Sequence, residues 1–170
     1  MEYSELIRSR YSCRSFQSKP VEDWKVEKII EAAIVAPTAV NKQPFRIFRM
    51  ESPEAREAIR SVTRFHFDAD CFLVVGATQE DCFLRKFDQR PFADVDASIV
   101  ATHMMLQIHD LGLGSTWVGY FDAPRLKALC PAMENFDLVA IFPIGYPAED
   151  GGPSPRHLER KTAEELVITL

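Results

Sequence analysis

The chain has 170 residues, 46% of them hydrophobic, and a formal net charge of −5. That length is one ordinary domain (1–170) with room for a proper core, and the slight acidic excess leaves no footprint for nucleic acid or an anionic membrane. The first residues lack the apolar run of a secretion signal, and the apolar stretch 138–144 is too short to span a bilayer and carries Pro143. The cysteines (Cys13, Cys71, Cys82, Cys130) form no Cys-x-x-Cys pair and no metal-ligand spacing. A soluble protein of a reducing cytoplasm is expected. Cys71 and Cys130 read as buried thiols, whereas Cys13 has charged and polar neighbours.

Tyr3 to Arg10 reads as a short opening helix, followed by the dense polar run Arg10-Tyr11-Ser12-Cys13-Arg14-Ser15-Phe16. Glu22 to Ala36 is a second helix with Val26, Ile29, Ile30, Ala33 and Ile34 inward, ended by Pro37. The loop Pro37–Pro44 is framed by prolines that restrict the backbone at both ends. Phe45 to Met50 alternates like a half-buried strand. Ser52 caps a helix running from Pro53 to about Val62. Cys71 to Ala77 is a continuous apolar run and hence a central strand, and Glu80 to Gln89 reads as an irregular, helical excursion. His66-x-Asp68-x-Asp70 suits a solvated face better than a metal trio.

The stretch Asp94–Trp117 organises the rest. On a helix at about 100° per residue, Val100, Leu111, Met104, Ala97, Ile108, Ala101 and Met105 make a broad apolar stripe. Val95, Leu106 and Ile99 make a narrower one nearly opposite, with Asp96, His103, Gln107 and Asp110 in a polar seam between. Two stripes require two apolar partners: either the helix is wrapped wholly by its own domain, or one stripe faces a second subunit across a two-fold axis. Gly112 and Gly114 stop the helix, Ser115 to Phe121 reads as a strand, and Asp122 caps a short helix from Ala123 to Leu129. Asp137 to Pro143 is a further interior strand, and a Gly/Pro-rich connector leads to Arg156, His157, Arg160 and Lys161. The alternation predicts an α+β sandwich about one sheet.

Three polar segments carry candidate chemistry. Arg10, Ser12 and Arg14 alternate, so an extended segment points them one way, and guanidiniums flanking a hydroxyl suit an anion with several oxygens. Arg160 and Lys161 could complete a phosphate site. Thr38, Asn41 and Gln43 offer paired donors and acceptors to a heterocycle edge.

On these segments the chain resembles the FMN-dependent nitroreductase superfamily. Arg10-x-Ser12-x-Arg14-x-Phe16 is similar to its opening motif, and Ala36-Pro37-Thr38-Ala39-x-Asn41-x-Gln43-Pro44-Phe45 to its second. Gly112-Leu113-Gly114-Ser115-Thr116-Trp117-x-Gly119, Pro143-x-Gly145-Tyr146-Pro147 and Arg160-Lys161-x-x-Glu164-Glu165 follow in order. The likeness is collinear over nearly the whole chain. It implies a nitroreductase-like fold, with a mostly antiparallel sheet flanked by helices, and an intertwined homodimer with FMN at the interface. Arg10, Ser12 and Arg160, helped by Lys161, would hold the phosphate, with Tyr11 beside them. Arg14 would lie at the N1–O2 edge of the ring. Pro37, Thr38, Ala39 and Asn41 would come from the other subunit to pack on the ring and ribityl chain, and Gln43 of the same loop is a further cofactor-binding candidate. Backbone N–H groups of Thr116, Trp117 and Gly119, or around Gly145, would serve N5. NAD(P)H would be the electron donor and an electron-poor small molecule, such as a nitroarene or quinone, the acceptor. No side-chain acid, base, nucleophile or metal is called for. Dehalogenation, flavin breakdown, another electron donor, or a flavin-binding sensor are the alternatives on the same fold. The departures are a short 65–90 region, Ala69-Asp70 where the family often has Ala-Pro, and Thr162-Ala163 in place of Pro-Leu.

Overall fold

The computed structural model describes residues 1–170. Its centre is a four-stranded antiparallel sheet built from β1 (Phe45–Arg49), β2 (Cys71–Ala77), β5 (Gly114–Ser115) and β6 (Asp137–Gly145), in the order β1-β2-β6-β5. Strand alternation sends successive residues to opposite faces. Leu73, Val75 and Ala77 of β2, with Ala140, Phe142 and Ile144 of β6, face one layer, whereas Phe72, Val74 and Ile141 face the other. The register slips between Val75 and Gly76. At Gly76 a Cβ would lie 3.1–3.3 Å from Phe136, Phe48 and Leu138, so the bulge is packed too closely for a side chain.

The first layer holds α2 (Asp23–Ile34) and α4 (Ala93–Asp110); the second holds α3 (Pro53–Val62) and α5 (Ala123–Leu129). A short α1 (Tyr3–Ser9) rests on α4, and the chain ends in a single turn, α6 (Ala163–Leu166). The capping expectations hold: Ser52 Oγ accepts the Ala55 N–H, and Asp122 accepts the Arg125 N–H. The α4 broad stripe is core, with Ala97, Val100, Ala101, Met104 and Ile108 fully buried. Val95, Ile99 and Leu106 of the second stripe remain half-exposed on the single chain. Buried Lys25 ties the layer together, its Nζ donating to the Leu111 carbonyl at 2.8 Å at the end of α4 and lying 4.7 Å from the Tyr146 ring centroid.

Two expectations are corrected. Residues 80–89 form no helix: β3 (Leu84–Arg85) and β4 (Arg90–Pro91) make a two-stranded hairpin, its turn closed by the Arg85–Asp88 ion pair and its base by Phe83 against Phe92. Charged side chains at helical spacing here stitch a turn rather than one helix face. The Ser115–Phe121 strand is also cut short. Only Gly114 and Ser115 are strand, with one isolated bridge from Val118 to Ile141, so residues 116–117 leave the ladder.

Candidate functional site

The residues after α1 run beside the sheet edge instead of joining the core. The Cys13 N–H donates to the Ser115 carbonyl (2.9 Å), Gln17 N–H to Tyr146 O (2.8 Å), and Ala148 N–H to Ser15 O (3.0 Å). Ser12 bridges Ser115 in parallel and Phe16 bridges Pro147. This extended run puts alternate side chains on opposite sides. Cys13 points inward and is fully buried, which corrects the polar setting its sequence neighbours suggested. Its thiol donates to the Ser15 carbonyl at 3.3 Å, and burial pushes its pKa up, so it is packing rather than a reactive thiolate. Gly114 allows the close approach, because a Cβ there would stand 2.6 Å from Cys13 Cβ.

Arg10, Ser12 and Arg14 point the other way, into a pocket of about 170 Å³ that they line with Ser154, Arg156, His157 and Arg160. Four guanidiniums and two hydroxyls face one another with no carboxylate in the lining. Burial first, and the Arg160 charge second, lower the Arg10 pKa. The cations are pre-set by the backbone. Arg14 Nη1 donates to Ser12 O (3.1 Å), and Arg160 Nη1 to the carbonyls of Arg156 (3.2 Å) and Glu159 (2.6 Å). A short 3₁₀ turn, Pro155–His157, brings Arg156 and His157 in. The pocket therefore joins Arg10, Ser12, Arg14 and Arg160 as the sequence suggested. It adds Ser154, Arg156 and His157, which sequence reasoning missed although Arg156 and Arg160 stand one helical turn apart. Lys161 does not line it, and Tyr11 packs edge-on against the rings of His109 and His157.

Thr116, Trp117 and Gly119 follow Ser115, the residue that Ser12 bridges. Their N–H groups make no hydrogen bond within the chain, whereas Val118 N–H is taken by Ile141 O. Trp117 packs its edge on Phe142, centroids 5.5 Å apart. Gly145 is covered by Phe16, which stands 3.0–3.1 Å from the place of a Cβ. Backbone donors without a partner in the chain are thus found at Thr116, Trp117 and Gly119.

The proline-framed loop is built under strain. Val40, Asn41 and Gln43 all have positive φ, at 46°, 56° and 52°. For β-branched Val40 this costs about 1–3 kcal/mol and persists only where surroundings impose it. Gln43 N–H donates to Thr38 Oγ1 (3.1 Å), Gln43 Nε2 to Asn41 Oδ1 (3.1 Å), and Ala39 N–H to Asp96 Oδ1 on α4 (2.8 Å). Pro37, Asn41 and Gln43 are exposed, Thr38 and Ala39 half-buried. Asp96, expected in a polar seam, is instead buried, 1% exposed, because the loop folds over it.

Within one chain these parts do not meet. The loop is anchored at Asp96, near the start of α4, while the arginine pocket adjoins its end, where Ser9 Oγ lies 3.0 Å from His109 Nε2 and Arg10 helps burial depress the His109 pKa. Thirteen residues of helix separate those anchors by about 20 Å. Along the same helix runs an apolar groove of about 780 Å³, lined by Leu6, Ala32, Val35, Ile99, Leu106 and polar neighbours including His103 and Gln107.

The Nitroreductase family model matches residues 7–69 and 63–146. A Methanothermobacter thermautotrophicus protein carrying the provisional name NADH dehydrogenase/NAD(P)H nitroreductase is 30% identical, over 94% of this chain and 88% of its own. A Thermus thermophilus NADH dehydrogenase is 28% identical, over 86% and 87%. Among solved structures, a nitroreductase family protein from Clostridium difficile superposes with a TM-score of 0.92 at 34% identity, covering 100% of both chains. A provisionally named nitroreductase from Desulfovibrio desulfuricans, solved in complex with FMN, gives a TM-score of 0.79 at 26% identity, over 100% and 97%. The edge-strapped arginine segment, the antiparallel sheet between two helical layers and these matches agree: the chain belongs to the nitroreductase family.

Proposed function

We propose that the chain is an FMN-dependent NAD(P)H oxidoreductase that works as a homodimer, each flavin held by both copies. The observation that carries this is the pocket of four arginines and two serines without a carboxylate. Its donor set fits a phosphate monoester, since forked guanidiniums match phosphate oxygens and a dianion would relieve the repulsion between Arg10 and Arg160. When bound, the flavin supplies hydride transfer between NAD(P)H and an electron-poor acceptor such as a nitroarene or quinone.

The chain's own residues then bind and orient. Arg10, Ser12, Arg156 and Arg160 hold the phosphate. Arg14, exposed and backed by Ser12 O, puts a fixed positive charge beside the pyrimidine edge of the ring, where reduction builds negative charge. The free N–H groups of Thr116, Trp117 and Gly119 supply donors to the ring. Thr38, Asn41 and Gln43 come from the second copy. An antiparallel pairing of two α4 helices through Ile99 and Leu106 carries the loop at the start of one helix to the arginine pocket at the end of the other, which spans the 20 Å gap that one chain cannot.

The test is an anaerobic titration of the purified protein with NADH and with NADPH. The expected result is one FMN per chain, bleached by a reduced nicotinamide; protein that stays colourless after incubation with FMN sinks the reading. A companion variant separates phosphate binding from folding. Arg10→Met should weaken FMN binding about 10- to 150-fold, the loss of a charged hydrogen bond of about 1.5–3 kcal/mol. It should leave riboflavin, which has no phosphate, unaffected, and should not lower the melting temperature of the apo protein, because a like-charge contact is removed. Equal losses for both ligands would refute the phosphate role.

A further inference from the structure

We propose that Asp96 is the positioning residue that holds the proline-framed loop in its ring-binding shape, an inference that rests on the flavin reading for its ligand but not for its geometry. Asp96 is 1% exposed, in the first turns of an 18-residue helix. Oδ1 accepts the Ala39 N–H at 2.8 Å, and Oδ2 is buried without a hydrogen-bond partner in the chain. Buried carboxylate oxygens rarely stay unpaired, so one that does marks a site where something other than stability sets the residue. Serine or asparagine would serve Ala39 without leaving a charged oxygen unpaired.

What the carboxylate adds is strength. A charged acceptor makes roughly twice as strong a hydrogen bond as a neutral one, and the N-terminal end of α4 stabilises the negative charge. Immediately after Ala39 the backbone enters the left-handed region at Val40 and Asn41, then again at Gln43. At the loop's far end Pro44 O accepts the Thr78 N–H (3.0 Å), which ties that end to the residue after β2; the remaining polar ties are internal, between Thr38, Asn41 and Gln43 or from Lys42 N–H to Ala39 O. The internal ties keep its curl, and the Thr78 bond fixes only the Pro44 end. The Asp96–Ala39 bond is its hydrogen-bonded link to the helix, so it sets the position of the Thr38, Asn41 and Gln43 polar groups against the ring.

Two variants cut this bond from either side. Asp96→Ala removes the acceptor, and Ala39→Pro removes the donor at a position preceded by extended Thr38 (φ −131°, ψ 158°), the backbone that proline requires before it. In the apo protein, each should speed amide exchange at Asn41 and Gln43. Each should also weaken FMN binding about tenfold, or about 1.4 kcal/mol, and the double variant should lose no more than either alone. Asp96→Asn, which keeps a neutral and therefore weaker acceptor for Ala39, should restore part of the affinity. Circular dichroism checks folding, and if Asp96→Ala does not fold, Ala39→Pro decides. Unchanged exchange and affinity in a folded variant, or an Asp96→Asn chain as weak as Asp96→Ala, overturns the proposal. If the wild-type chain binds no FMN, the flavin reading falls, while apo exchange alone still decides whether Asp96 holds the loop.

Discussion

A Leu106→Glu chain should run as a folded monomer of 19.3 kDa and lose at least a hundredfold in FMN affinity. Leu106 is half-exposed on the single chain and lines the apolar groove between α1, α2 and α4, so a carboxylate there meets water and leaves the fold nearly unperturbed. In a two-fold pairing through α4 the change enters twice. Each carboxylate would have to shed water against Ile99 and Val35, at a cost of several kcal/mol per charge, which exceeds what most interfaces can lose. On the proposed two-chain site, flavin binding should fall with the dimer, because the Thr38–Gln43 loop lies about 20 Å along α4 from the arginines of its own chain. Light scattering and an FMN titration on the same sample read both effects. A variant that stays dimeric, or a monomer with undiminished affinity, removes the two-chain site.

Gly114→Ala should both destabilise the protein and disable phosphate binding, without touching a ligand-facing side chain. The new methyl would lie 2.6 Å from Cys13 Cβ and 2.7 Å from its sulfur, far inside contact distance. Overpacking of this kind typically costs about 1–3 kcal/mol, and the strap has only a few backbone bonds resisting displacement, such as Cys13 N–H to Ser115 O. It should therefore peel from β5, carrying Arg10, Ser12 and Arg14 away from Arg156 and Arg160. Urea unfolding should show a lower midpoint, and FMN binding should weaken more than tenfold. Cys13→Gly in the same chain removes both clashing atoms and should recover part of each loss, whereas Cys13→Ala, which keeps Cβ, should not. Full FMN affinity in Gly114→Ala would mean that the strap does not set the arginines.

The two sides of the site were unequally legible. Arg10, Ser12 and Arg14 alternate in an extended run, so their common direction follows from backbone geometry alone, and the pocket bears it out. Arg156 and His157 could not be assigned that way: a 3₁₀ turn after a Gly/Pro-rich connector turns them inward, and such turns are chosen by what they pack against. Asp96 was misplaced because helical periodicity ranks a residue by its face. It cannot register a loop from 57 residues earlier closing over that face. Cys13 was misjudged for the related reason that polar sequence neighbours, in an extended strand, point away from it.

Sequence by itself determined the principal helices α2 to α5, the central strands β1, β2 and β6, the caps at Ser52 and Asp122, the two-striped helix and the family, since these rest on local periodicity, capping chemistry and collinear motifs. Tertiary structure alone decided that residues 80–89 make a hairpin, that Lys161 stays outside the pocket, and that the loop and the arginines stand at opposite ends of α4. Those depend on contacts between residues far apart in the chain, where packing and backbone satisfaction outweigh local preference.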